Sequence, residues 1–217
     1  MTTRKDGEAT REKLLEAAAQ VFGERGFVKA THAEICRLAG VNTALINFHF
    51  GSKDALYRAV WERVTADVER RYPLNGGVPP AAPAADRLHG HIRTLLHRAL
   101  DPHLEGFHRL RTMEFVHPTG MLDAALTANL QRHRNYLRAL LRDLLGPAIT
   151  ERALDLCEMS VISQCLMIMP PPGRGKRKPP LRFVHADVEE LAAHITRFSL
   201  AGLDVQREAR AERGIGW

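Results

Sequence analysis

Apolar residues recur three and four positions apart along most of this chain, and glycine and proline cut the pattern into helix-length pieces. Leu14, Leu15, Ala18, Val21 and Phe22 form one stripe, which predicts a helix over Thr10 to Arg25 that Gly26 ends. Residues 1–9 are polar and read as a flexible arm, with Arg4 and Lys5 as its cations. Ile35, Leu38 and Ala39 mark a short second helix; Gly40 stops it, and Val41 can plug the angle behind it. A third helix runs from Asn42 to about His49 and ends at Gly51. Ser52 caps a fourth from Lys53 to about Tyr72, with Leu56, Tyr57, Val60, Val64 and Val68 in helical register. PLNGGVPPAAPAA then reads as a loop or linker. Helices follow over Arg87–Leu100, Glu105–Val116, Met121–Leu145 and Thr150–Met169. The last is so apolar that burial on most sides is expected. PPPGRGKRKPPLR cannot be helical. After Asp187, which with Glu190 suggests a capping box, Val188, Leu191, Ile195, Phe198, Gly202 and Val205 follow the spacing of a coiled-coil seam. No segment alternates as a strand would, so the expected fold class is all-α, with about nine helices.

The densest local information lies between Thr31 and Leu56, THAEICRLAGVNTALINFHFGSKDAL. Thr31 followed three residues later by Glu34 is a capping box, in which side chains and backbone donors at a helix start satisfy each other. Two short helices about a glycine turn, with a third helix opening behind them, have the geometry of a helix-turn-helix, whose second helix enters the DNA major groove. AGVNTALINFHFGSKDAL is similar to the DNA-binding segment of TetR-family transcriptional regulators, whose usual form is close to AGVSxGxLYxYFxSKxxL. The resemblance implies a three-helix DNA-binding head over residues 1–52, a helical ligand-sensing and dimerisation domain over 53–210, and a loose tail over 211–217.

Base sequence is read by side chains on base edges, while phosphate contacts fix register. The expected DNA contacts are Thr31, His32, Asn42, Thr43, Ala44, Asn47, Phe48, His49 and Lys53. Asn can pair with adenine through two hydrogen bonds, and Thr or Ala methyls can touch the thymine methyl. The resemblance implies phosphate contacts for His49 and Lys53. Asn47 stands where the family often has Tyr, and Ile46, Phe48 and Phe50 are expected to pack behind the reading helix.

Charge adds little to this. The net charge is +6. Residues 1–53 hold eight Lys/Arg and six Asp/Glu, a net of +2, whereas Pro170 to Ala186 holds five cations and no acid. The basic loop Gly173–Lys178 is expected to move freely and not to read DNA. The cysteines Cys36, Cys157 and Cys165 form no CxxC pair and read as free thiols, with a redox switch at Cys36 the alternative. No apolar run reaches the ~20 residues of a membrane span, and no apolar core of a signal peptide opens the chain. A cytoplasmic protein, with double-stranded DNA, a small ligand and its own copy as partners and no membrane, is expected.

The chain lacks GxSxG, Walker, HExxH and GxGxxG motifs, so no enzyme activity and no cofactor or metal are expected. The rival is a helical metalloprotein or enzyme built on Glu114 and His117, an ExxH unit without a second copy. A regulator controlled by a protein partner is a third reading. His89, His91, His97, His103, His108 and His133 fall on charged helix faces and read as mostly solvated.

MEFVHPTGMLDAAL resembles the C-terminal domain of the CecR-like subgroup of the TetR family, with Met113 where that subgroup has Arg. The resemblance implies that the helices after residue 86 sense a ligand and dimerise. The expected ligand contacts are Phe107, Leu110, Met113, Glu114, His117, Leu130, His133, Met159 and Ile162, for a small hydrophobic molecule. The dimer is expected as a four-helix bundle from Thr150–Met169 and Asp187–Gln206, with Leu191, Ile195, Phe198 and Gly202 in its seam.

Overall fold

A computed structural model describes residues 2–168 and 187–213, and among these it contains nine α-helices and no strand. The basic loop 173–178 and the last residues of the tail lie outside that range. The chain packs as two units. The first comprises residues 2–70 and 102–126, and the second residues 71–101, 127–168 and 187–213.

In the first unit, α1 spans Thr2–Lys29 and contains a break at Gly26, where φ is 73° and ψ 168°. Residues 2–9 are therefore helical rather than a loose arm. A polar segment is not thereby a coil: nothing in TTRKDGEATREK excludes a helix, and the Thr10 hydroxyl donates to the Asp6 carbonyl at 2.8 Å within it. Helix α2, His32–Ala39, is capped by Thr31, whose Oγ1 accepts the Glu34 amide at 3.2 Å. The Glu34 carboxylate does not return to Thr31; it lies 3.4 Å from Arg25 Nε. Gly40 ends α2 at φ 68°, ψ 34°, a left-handed conformation that a side chain would strain. Helix α3 is Ala44–Phe50, and the Asn42 side chain accepts the Ala44 amide at 2.9 Å. Helix α4 is Lys53–Arg71, with Ser52 Oγ accepting the Ala55 amide at 3.1 Å.

The core of this unit is Leu14, Ala18, Phe22, Ile35, Ile46, Leu56 and Tyr57, joined by Leu110 and Leu122. Leu110 comes from α6, Glu105–Val116, and Leu122 from the turn ahead of α7, Asp123–Leu145. Phe22 meets Tyr57 edge-on at 4.9 Å and Phe27 at 6.0 Å. Each such side chain contributes about 2 kcal/mol on burial. The packing unit that holds the head runs past residue 52: α4 through Arg70 and all of α6 belong to it.

The second unit holds α5, Ala84–Leu100, most of α7, α8, Glu151–Leu166, and α9, Val188–Arg213. Its core includes Leu88, Ile92, Leu96, Leu137, Leu141, Leu154, Val161, Ala192 and Ile195. Arg138, 8% exposed, joins α7 to α8 by bonds to Glu158 at 2.9 Å and to Asp155 and Glu151. The residues before α5 were expected to be a linker, but α5 side chains grip their backbone. Arg98 Nε donates to the Tyr72 carbonyl at 3.0 Å and Thr94 Oγ1 to the Pro73 carbonyl at 2.9 Å. His91 Nδ1 lies 2.9 Å from the Leu74 carbonyl, and Arg93 Nη2 donates to the Gly76 carbonyl at 2.7 Å.

Three expectations for α8 and α9 need correction. Helix α8 is not buried on most sides: Leu156, Met159 and Leu166 are exposed, while Leu154, Val161 and Cys165 face the core. Ile195 is 3% exposed and packs in its own unit, so it is not a free seam residue. Leu191 is half-buried in the same cluster, and only Phe198 and Gly202 of the predicted four stand out on the surface. The 3-4 spacing marks one apolar stripe, and the chain's own core takes one edge of it. Helix α9 also continues to Arg213, three residues into the segment expected to be a loose tail.

Candidate functional site

The α2–turn–α3 surface has the character that the sequence suggests. Asn42, Thr43, Ala44 and Asn47 are exposed, while Ile46 on the opposite face is fully buried and Leu45 half-buried. The Asn42 oxygen is engaged in capping α3, which leaves its side-chain N–H groups for an external acceptor. Phe48 is 79% exposed and does not pack behind the helix; it projects outward, edge-on to His49 at 4.9 Å. Phe50 is the aromatic that is partly buried in the head core. Thr31 is exposed with its hydroxyl bound in the cap, and His32 is half-buried with Nε2 shielded from solvent. Lys53 is half-buried, its ammonium 4.6 Å from the centre of the Phe27 ring and 3.5 Å from the Val28 carbonyl oxygen. Burial lowers its pKa, and Asp54 opposes that in part. Cys36 is buried and desolvation raises its thiol pKa, the opposite of what a reactive thiolate needs.

The residues predicted to line a ligand pocket divide between the two packing units. Phe107, Leu110, Met113, Glu114 and His117 belong to the first, and Leu130, His133, Met159 and Ile162 to the second. Leu130 and Met159 stand on exposed faces, whereas Leu110 is fully buried in the head core. Glu114 is 2% exposed, and its oxygens are already occupied. Tyr57 Oη donates to Oε2 at 2.7 Å, and the Thr119 amide donates to Oε1 at 2.9 Å. The Thr119 hydroxyl lies 2.9 Å from Oε1. Tyr57 is pushed up strongly by burial and then by this carboxylate. His117 is exposed at the end of α6, and no group of His, Cys, Asp and Glu among the described residues has the arrangement of a metal site. Glu114 thus ties α4 to the turn after α6, which no spacing rule signals.

The histidines were misplaced most. His91, expected on a solvated face, is fully buried, and His133 is half-buried beside it with ring centres 5.8 Å apart. Tyr136 lies 5.1 Å from the His91 ring. Arg98 Nη1 is 2.8 Å from His133 Nε2. Burial, then the Arg98 charge, lowers the pKa of both rings, His91 to about 4 and His133 to about 3; the Leu74 carbonyl partly opposes this at His91. Arg98 is lowered to about 10 by burial, and no carboxylate pairs with it among the described residues. The only hint in the sequence is the HIRTLLHR spacing, which puts His91, Thr94 and Arg98 on one face of α5.

This all-α architecture, with a short reading helix presented on a packed head, defines a helix-turn-helix DNA-binding protein. Residues 14–60 match the model of bacterial regulatory proteins of the tetR family, and residues 84–203 match that of the C-terminal domain of the HTH-type transcriptional dual regulator CecR. The chain belongs to the TetR family of transcriptional regulators, with a CecR-type C-terminal domain. Over 72 residues it is 38% identical to the HTH-type transcriptional repressor NicS of Pseudomonas putida, a match covering 30% of this chain and 34% of that one. The first curated relatives are thus matched over about a third of their length or less. The regulator SrpR of Pseudomonas putida is 24% identical over 71% of this chain and 70% of its own. Among solved structures, a TetR-like regulator from Rhodococcus sp. RHA1 superposes with a TM-score of 0.65 at 17% identity, covering 90% of this chain and 96% of that one. AibR, solved with isovaleryl coenzyme A and operator DNA, has a TM-score of 0.62 at 18% identity over 87% of this chain and 97% of that one. No helix among the described residues is long and apolar enough to cross a membrane.

Proposed function

We propose that the protein is a homodimeric repressor that binds a pseudo-palindromic operator and leaves it when a small organic ligand binds. The observation that carries this is the division of the turn and α3: Asn42, Thr43, Ala44 and Asn47 face outward while Ile46 anchors the helix in the head. Apart from the Asn42 oxygen, which holds the Ala44 amide, these exposed amides and methyls are available to base edges. The half-sites lie one helical turn or more apart, about 34 Å per turn. The chain acts in the compartment that holds its DNA.

The dimer is a four-helix bundle of α8 and α9 from each subunit, as the exposed faces support. Leu156, Met159 and Leu166 on α8 and Phe198 and Val205 on α9 leave apolar surface uncovered in the single chain. Two fold neighbours are described with acyl-coenzyme A ligands, AibR with isovaleryl and FadR of Bacillus subtilis with stearoyl, which supports a ligand-responsive reading. A ligand releases DNA only through its preference for the unbound conformation.

A gel-shift and footprint survey of genomic fragments tests the function. Tight, sequence-specific protection that Asn47→Ala weakens supports it, and folded protein that binds no fragment at low salt refutes it. Light scattering of Phe198→Asp tests the bundle: a monomer is expected, and a dimer at micromolar concentration refutes this placement. Ile195→Asp is unsuited to that purpose, since it puts a charge into the subunit's own core.

A further inference from the structure

The geometry points to Arg98, His133 and His91 as the seat of an organic carboxylate, bound through its charged head beside the apolar core of the second unit. This rests on the ligand-responsive reading above and names the chemical class of the ligand.

Hydrogen-bond bookkeeping fixes what the cluster offers. A carbonyl only accepts, so His91 Nδ1, 2.9 Å from the Leu74 carbonyl oxygen, carries the proton. The neutral ring then leaves Nε2 as an acceptor, and that atom is buried without a partner. A guanidinium only donates, so His133 Nε2, 2.8 Å from Arg98 Nη1, accepts. The proton of that ring sits on Nδ1, also buried without a partner. Arg98 spends one N–H from Nε and one from Nη2 on the Tyr72 carbonyl, and one from Nη1 on His133. One N–H on each Nη remains. The cluster thus combines a half-buried cation that no carboxylate among the described residues neutralises, an unused imidazole donor and an unused imidazole acceptor. The pairing is selective. Arg98 and His133 suit an oxyanion, and His91 Nε2 suits a hydroxyl or amide donor beside it.

The surroundings set the rest of the ligand. Tyr136 lies against the His91 ring, and the core of Leu88, Ile92, Leu96 and Leu137 adjoins. An apolar body with a single carboxylate matches this composition better than a polyanion, since Arg98 is the one guanidinium bonded to the imidazoles. The neutral state of both histidines, held by burial, keeps the donor and acceptor roles distinct at neutral pH.

Paired probes of equal shape test this in the intact chain: benzoate against benzamide, and octanoate against octanamide, by calorimetry and thermal shift. At least one acid is expected to bind at least tenfold tighter than its amide. Arg98→Met is expected to abolish the difference, and Arg98→Lys, which keeps the charge without the fork, to retain part of it. Nitrogen-15 histidine spectra are expected to show the His133 Nδ1 resonance moving on addition of the acid. Binding of neither acid overturns the inference, as does equal binding of acid and amide, or undiminished acid binding by folded Arg98→Met. The operator assay separates this from the parent reading. Release of DNA by neutral molecules alone, with no acid bound, refutes the carboxylate site and leaves the repressor standing. Acid binding by a protein that recognises no DNA does the reverse.

Discussion

Each packing unit holds an ionisable side chain, Glu114 buried and Arg98 half-buried, without an oppositely charged partner among the described residues, and the two are treated differently. Glu114 in the first unit has donors on both oxygens from Tyr57 and Thr119, so its shell is closed. Arg98 in the second unit spends three N–H bonds on Tyr72 and His133 and retains two, next to imidazole atoms that also lack partners. Neutral donors can hold an ion in a low-dielectric interior if they saturate it; an unsaturated ion remains costly. The first arrangement stabilises a joint between α4 and α6. The second leaves binding capacity unspent.

The largest expected effect sharpens this contrast at its closed end. Glu114→Ala strands the Tyr57 hydroxyl and the Thr119 amide in the core, and should cost about 4 kcal/mol. Urea unfolding followed by fluorescence of Trp61, which is buried in the same unit, measures it. A loss near zero would show that the shell contributes nothing. Acidification probes the open end. His91 has a pKa of about 4 when folded against 6.5 when free. Between those values the unfolded chain binds a proton that the folded chain refuses. Stability from this group is complete above pH 6.5 and falls as the pH drops toward 4, by roughly 3 kcal/mol. Desolvation of His133 acts in the same direction. Circular-dichroism melts at a series of pH values should show this slope, reduced in His91→Gln. Tyr57→Phe removes one donor of the closed shell and leaves Thr119 in place, so about 1.5 kcal/mol is expected by the same Trp61 assay. Arg98→Met should have the smallest effect, within about 1 kcal/mol of the parent, because it removes an unsaturated ion as well as its bonds. A loss as large as that at Glu114 would erase the distinction between the two centres.

The legible parts of the chain were those with local causes. Thr31, Gly40 and Ser52 act within a few residues of their own positions, and the bounds of α2 and the start of α4 follow from them, whereas α3, expected from Asn42, begins at Ala44. The end of α6 at Val116 was equally readable from Pro118, two residues on. What escaped depends on distant partners. His91 is buried because a carbonyl seventeen residues earlier receives its proton, and a periodicity argument has no access to that pairing. Ile195 and Phe198 lie on one stripe, and only the packing of α9 on its own unit decides that Ile195 faces inward and Phe198 outward. In the reading helix, spacing identified the outward residues, but the projection of Phe48 needed the structure.

The grip of α5 on the preceding backbone has a consequence for how this segment tolerates change over time. Its bonds run from side chains of His91, Arg93, Thr94 and Arg98 to main-chain carbonyls of Leu74, Gly76, Pro73 and Tyr72. A carbonyl is the same whatever residue carries it, so the recipients are free to drift while the donors are not. The exception is the closest approach. A β-carbon on Gly76, at φ +63°, would fall 2.3 Å from the Gly90 carbonyl oxygen, and one on Gly90 would fall 2.8 Å from the Asn75 carbonyl oxygen. Descendants of this sequence should therefore keep two glycines and four α5 side chains as a single inherited block, while the residues between them diverge.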